Sequence, residues 1–151
     1  MSDKFVKLVS TFFYIGNIPP APGTLASAAT VLVCFLLHKS LILYVLAFII
    51  FTRLGFMVSA RMEKIVGKKD PGCVVIDEVS GVMISYFMLP FNWPVVFTTF
   101  FLFRAFDMFK IYPANIMEER GGSFGIMMDD IVAGIYTNIV MQVAIRLAGI
   151  I

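Results

Sequence analysis

LILYVLAFIIFTRLGFMVSA, residues 41–60, carries a single charged side chain, Arg53, in an otherwise apolar run. A helix rises about 1.5 Å per residue, so twenty residues suffice to cross the roughly 30 Å of bilayer hydrocarbon. This run predicts a membrane helix. Upstream, His38-Lys39-Ser40 separates it from a shorter apolar stretch at 24–37. Downstream, a polar loop at 61–77 leads to an apolar stretch at 79–89. The segment Pro90-Phe91-Asn92-Trp93-Pro94 then reads as a turn, because prolines interrupt helices. Apolar residues resume at 95–106, and a polar, glycine-rich segment fills 107–130. Residues 131–151 form a last run of membrane-crossing length. The other stretches are short, and are expected to tilt or to be re-entrant. The predicted fold is an all-α integral membrane protein, a compact bundle of about four to five membrane helices in one domain, 1–151.

Composition agrees. Hydrophobic residues make up 60% and charged residues 15%, against about 45–50% and about 25% in an average soluble domain. The net charge of +2 provides no basic stripe of the kind nucleic acid demands. Cys34 lies in an apolar run and Cys73 in a polar loop, a pattern that suggests no disulfide framework. Lys4 and Lys7 precede apolar residues 8–15 with no small-residue cleavage site, which predicts a retained N-terminal amphipathic helix.

Counting segments assigns sides. Two apolar stretches separate the polar segment at 16–27 from that at 61–78, and two more separate the latter from 107–130. The chain therefore returns to one face each time. That face carries Arg61, Lys64, Lys68, Lys69, Lys110 and Arg120, with Arg104 at its edge, whereas the other offers Lys39 and Arg146. The positive-inside rule makes the charged face cytoplasmic.

Of the ten acidic residues, all but Asp3 fall within 63–78 and 107–130. Asp77-Glu78 and Asp129-Asp130 are adjacent pairs. Each follows three apolar residues, is expected to open an apolar helix, and is followed by small residues: Ser80-Gly81 and Ala133-Gly134. One reading is helix capping, since acids stabilise orphan N–H groups at helix starts. The other is a cation site. Two carboxylates at each helix, at the edge of lipid, repel one another unless a cation lies between them. Hard oxygen ligands suit Mg²⁺, which takes one or two carboxylates plus phosphate and water. The small residues would let the helices approach closely enough to join the pairs.

Arg104, Asp107 and Lys110 recur every third residue, so a helix holds them on one face. They form either a local ion-pair ladder or a third carboxylate flanked by two phosphate-binding cations. Pro19 to Ser27 (PPAPGTLAS) stiffens the entry to a helix. Gly23 permits close backbone approach, and Thr24 or Ser27 can cap a helix start suited to an anion. Gly121-Gly122-Ser123-Phe124-Gly125 reads as a flexible loop or hinge before Asp129. The only histidine, His38, falls on the face opposite the acids. Cys73 has Val79 rather than arginine six residues on, and no Asp-x-Asp nucleophile motif occurs. Metal-assisted attack of water on phosphorus remains.

The ordered set Pro22-Gly23-Thr24 with Ser27, Asp77-Glu78 with Gly81, Arg104-x-x-Asp107-x-x-Lys110 with Pro113, Gly121-Gly122, Gly125-Ile126-Met127 and Asp129-Asp130 with Ala133-Gly134 resembles the phosphatidylglycerophosphatase A family over most of the chain. Asp70-Pro71-Gly72 resembles it too. Ala26 stands where the family commonly has glycine, and Ile111 where it often has a second proline. The resemblance implies a Mg²⁺-dependent phosphatase of phospholipid synthesis in a bacterial inner membrane. Its substrate would be phosphatidylglycerophosphate in the bilayer, and its products phosphatidylglycerol and phosphate. Asp77, Glu78, Asp107, Asp129 and Asp130 would be the catalytic and metal residues. Gly23, Thr24, Ser27, Arg104 and Lys110 would hold the phosphate. Two rivals are weaker. A CDP-alcohol phosphatidyltransferase would begin its motif with Asp-Gly-x-x-Ala-Arg, which is absent. A divalent-cation carrier would place acids near the bilayer midplane, whereas here they fall at segment ends.

Overall fold

The computed structural model describes residues 1–149, and among these it contains helices and no strand. A short helix α1 (Asp3–Ser10) and a 3₁₀ turn (Ile15–Asn17) lead into α2 (Pro22–Leu37) and α3 (Leu41–Val66). Then follow α4 (Ile76–Tyr86), α5 (Trp93–Phe109), α6 (Ala114–Arg120) and α7 (Gly122–Leu147). α3 and α7 are long and apolar enough to cross a membrane. At about 1.5 Å per residue α4 covers only about 16 Å.

Local chemistry sets several boundaries. Ser40 caps α3 by accepting from the Leu43 N–H at 3.4 Å, and Asn92 caps α5 by accepting from Val95 at 3.1 Å. Gly67, at φ +72°, ends α3 in a left-handed cap that ordinary residues adopt at a cost. α1 is amphipathic: Val6 is buried while Lys4 and Lys7 stay exposed.

Other boundaries differ from the sequence reading. α3 continues through Val66, so the first residues of the expected 61–77 loop are helical. The segment 107–130 is mostly helical as well. α7 begins at Gly122, not near 131, so Asp129 and Asp130 lie two turns inside it and cap nothing. The glycine-rich stretch is no flexible loop. Gly121 joins α6 to α7, and a Cβ on Gly125 would come within 2.9 Å of the Met117 carbonyl, so its bare backbone seats α6 against α7. Ser123 Oγ accepts from the Ala60 N–H at 2.8 Å and pins the same turn to α3.

α4 is the centre of the bundle, with Ile76, Asp77, Val79 to Met83, Ser85 and Tyr86 all buried. It packs chiefly on α7, and also on α2, α3 and α5. Its last carbonyls, which a helix end leaves without partners, are met by α7. Asn138 Nδ2 donates to the Ser85 and Phe87 carbonyls at 3.1 and 2.8 Å, and Gln142 Nε2 reaches Phe87 and Met88 at 3.4 Å. The Tyr44 hydroxyl donates to the Met83 carbonyl at 2.6 Å.

The crossing of α4 and α7 is a glycine contact. A Cβ on Gly81 would sit 2.6 Å from the Asp130 carbonyl and 2.8 Å from the Phe103 ring, and one on Gly134 would collide with the Gly81 carbonyl. The three polar segments meet at one end of the bundle, as the segment count predicts. Val75 N–H donates to the Ser10 carbonyl at 2.9 Å, Lys69 Nζ donates to the Glu119 carbonyl at 3.2 Å, and Gly23 abuts Glu78. His38 lies at the other end, against Phe35 and Phe91.

Gly134→Val is expected to lower stability by about 1–3 kcal/mol or more through overpacking, read as a drop in Tm in detergent. Gly72→Ala, at a position open to space with an ordinary φ, is expected to leave Tm unchanged.

Candidate active site

Asp77 is four residues before Gly81, and Asp130 four before Gly134. Residues four apart share a helix face, so both acids lie on the α4–α7 seam one turn from the glycine crossing. They are 9% and 3% exposed. The two pairs also behave alike. Asp77 Oδ1 accepts from the Glu78 N–H at 3.0 Å, and Asp129 Oδ1 accepts from the Asp130 N–H at 2.9 Å. Asp130 is within electrostatic reach of Asp107, Asp77, Asp129 and Glu78. All five predicted acids are thus drawn to one place.

The last turns of α5 supply the cations. Arg104 Nη1 bonds Asp107 Oδ2 at 2.8 Å and Glu78 Oε1 at 3.2 Å. Lys110 Nζ bonds Asp129 Oδ2 at 2.5 Å and Glu118 Oε1 at 3.4 Å. The ion-pair ladder is present in part, as Arg104–Asp107, but the stronger pattern is cross-helix: Arg104 ties α5 to α4, and Lys110 ties it to α7. Lys110 adopts the left-handed region at φ +44°, which stops α5. Burial lowers the Lys110 ammonium, but the hydrogen bond and charge of Asp129, with Asp130 and Glu118, outweigh it and raise its pKa above the ordinary value.

α2 closes another side. Its start is Ala21 with Pro22 in the first turn, so neither Thr24 nor Ser27 caps it. Both lie inside the helix. A Cβ on Gly23 would overlap the Glu78 carboxylate, so the glycine makes room for that acid. Ser27 is fully buried. Its Oγ and Glu78 Oε2 are buried polar atoms without a hydrogen-bond partner. Such atoms cost about 1–3 kcal/mol each when left unmet, more for a charged group, and mark where a polar guest would be satisfied.

Comparison with known proteins decides the family. A profile of the family Phosphatidylglycerophosphatase A matches residues 8–145. The chain is 38% identical to the Phosphatidylglycerophosphatase A of Haemophilus influenzae, over 90% of this chain and 86% of the relative. It is 35% identical to that of Escherichia coli, over 85% and 76%. This chain belongs to the phosphatidylglycerophosphatase A family. It is therefore a phosphatase. It is also 38% identical, over 91% of both chains, to a Bacteroides thetaiotaomicron protein named provisionally as a phosphatidylinositol-3-phosphatase. No solved structure matches it.

Among the described residues of this phosphatidylglycerophosphatase A family member, no group of three or more His, Cys, Asp or Glu side chains is arranged to hold a metal ion. The donor set still fits Mg²⁺, which needs only one or two carboxylates beside water and phosphate. Of the five carboxylates, Glu78, Asp107 and Asp129 pair with Arg104 or Lys110, whereas Asp77 and Asp130 form no ion pair with any described residue, and Glu78 Oε2 is buried without a hydrogen-bond partner.

Asp70 is a residue that sequence reasoning left out of the site. Although the residue is exposed overall, desolvation raises its carboxyl above the usual range; Lys110 opposes this, and Glu118, Glu63 and Asp107 add to it. Its N–H donates to Glu63 Oε1 at 2.9 Å, and its backbone takes a left-handed φ of +44°. The Asp-Pro-Gly turn at 70–72 is the sequence signal that marks it.

Gly23→Ala is expected to push the Glu78 carboxylate aside. Phosphate release should fall about tenfold to a hundredfold, since small misplacements of reacting groups carry that cost, while Tm changes little because a side-chain end gives way rather than backbone.

Proposed function

We propose that this chain is an integral membrane phosphatase. It removes the terminal phosphate of phosphatidylglycerophosphate, with Mg²⁺, at the cytoplasmic rim of a bacterial inner membrane. The observation that carries the reading is the convergence of five carboxylates, two cations and two unpartnered buried polar atoms at one end of an apolar helical bundle. Relatives named for this activity supply the substrate.

The membrane setting is supported by the outer surface. Leu36, Ile42, Met57, Phe101 and Val143 project outward and are more than half exposed, and soluble monomers rarely leave such wide apolar faces bare. In the bilayer, α2 to α5 and α7 form the bundle, α4 lies short at its centre, and α1 and α6 rest at the charged rim.

Asp77, Glu78, Asp107, Asp129 and Asp130 would hold Mg²⁺, some directly and some through water. The ion, when bound, polarises a phosphoryl oxygen and lowers the pKa of water. Glu78 Oε2, a buried carboxylate oxygen without a hydrogen-bond partner, takes a proton from the attacking water. Arg104 and Lys110 offset the charge that grows on the phosphoryl oxygens. Ser27 Oγ, with Thr24 and the Gly23 backbone, holds the phosphate. The Bacteroides relative's name favours a second substrate, an inositol-lipid phosphate, for the same site.

Purified protein in detergent is expected to release inorganic phosphate from phosphatidylglycerophosphate with Mg²⁺ and to stop with EDTA. Asp129→Asn should lose at least about a hundredfold, within the range for acid–base groups, with its fold intact by circular dichroism. Faster release from phosphatidylinositol 3-phosphate would favour the second substrate. Release from neither, by folded and Mg²⁺-loaded protein, would overturn the proposal.

A further inference from the structure

Arg53 is the one charged residue within 41–60 of α3. It is exposed and makes no hydrogen bond or ion pair with any described residue. Gly55 faces inward, its Cα side against Met127 and Ile76. Two residues is about 200° of helix rotation, so Arg53 points away from the core. Its level is fixed by its neighbours. Thr52 Oγ1 donates to Ser80 Oγ at 3.1 Å, and Gly55 meets Ile76. Arg53 therefore stands at the height of the first turn of α4, which carries Asp77 and Glu78, on the far face of α3.

A guanidinium has five N–H donors and stays charged. On a lipid-facing apolar helix it is costly without an anion. Around it, Phe48, Ile49, Thr52 and Phe56 form an open groove of about 380 Å³ with Arg53 as its single charge. The groove follows α3 from Phe56, past Arg53, to Phe48 on the side nearer the start of the helix. A cation within an apolar groove is complementary to one component of a bilayer: a phosphate attached to an acyl chain.

We propose that this face of α3 binds an anionic glycerophospholipid of the surrounding bilayer, with its phosphate on Arg53 and an acyl chain along Phe48 and Ile49. The inference rests on the membrane reading above. It sets the phosphates of the charged-side leaflet level with Asp77 and Glu78, so a lipid headgroup meets the carboxylates without leaving its layer.

The test is local quenching by brominated lipid. With Trp93, the single tryptophan, changed to Phe, Ile49→Trp places a reporter in the groove and Phe101→Trp a control on α5. Each protein is placed in phosphatidylcholine nanodiscs containing brominated phosphatidylserine or brominated phosphatidylcholine. The groove reporter should prefer the anionic lipid at least about threefold, a modest factor because phosphatidylcholine also presents a phosphate to the guanidinium. Arg53→Gln should abolish the preference, and the control should show none. Equal quenching by both lipids in the Arg53 protein, or a preference that survives Arg53→Gln, overturns the lipid site alone. No quenching of either reporter by either lipid overturns the membrane reading and the lipid site together.

Discussion

Two glycines facing each other across α4 and α7 set the geometry on which the remainder depends. A helix pair with side chains at the crossing keeps its axes about 8–10 Å apart. Here Gly81 and Gly134 remove that spacing and let backbone touch backbone. Because the acids lie one turn before each glycine, the same contact that packs the bundle also drives carboxylates together. Packing and site are thus one structural event. The repulsion it creates is offset only in part by Arg104 and Lys110, which α5 brings in from the side.

The short length of α4 is a second constraint. A helix of eleven residues cannot cross hydrocarbon alone, and its open C-terminal end would be costly in an apolar setting. Asn138 and Gln142 of α7 meet those carbonyls. α7 therefore serves α4 at both ends, with a glycine near the acids and amides near the opposite face. Few polar residues interrupt the second half of α7, and two of them have this task.

Much of this was legible in the sequence because charge is conspicuous in an apolar chain. The acid pairs, the Arg104-x-x-Asp107-x-x-Lys110 spacing and the Gly81 and Gly134 positions were visible as patterns, and the structure brings them together. What was not legible depends on tertiary contact. Gly121-Gly122 and Gly125 carry poor helix propensity and read as loop, yet packing against α6 makes the last two helical. The helix start therefore moves from about 131 back to Gly122, and capping ceases to explain Asp129 and Asp130. Ser27 read as a cap because serine favours helix starts; α2 already begins at Pro22, which leaves Ser27 buried inside the helix. Asp70 lay outside the expected site because its approach depends on a loop path that no periodicity encodes.

The cross-helix ion pairs would make a metal-binding site of the kind proposed behave as an ion exchanger. Arg104 is held by Glu78 and Asp107, and Lys110 by Asp129 and Glu118, so charges inside the protein already serve as one another's counterions. A guest anion that draws Arg104 away strips Glu78 of its partner and raises the demand for a cation. A guest cation on the carboxylates would release arginine and lysine for an anion. By thermodynamic linkage each guest strengthens the other's binding by the same factor. On the proposed function, anion and cation would therefore favour each other's binding, and an anion alone would have to compete with the protein's own carboxylates for Arg104 and Lys110.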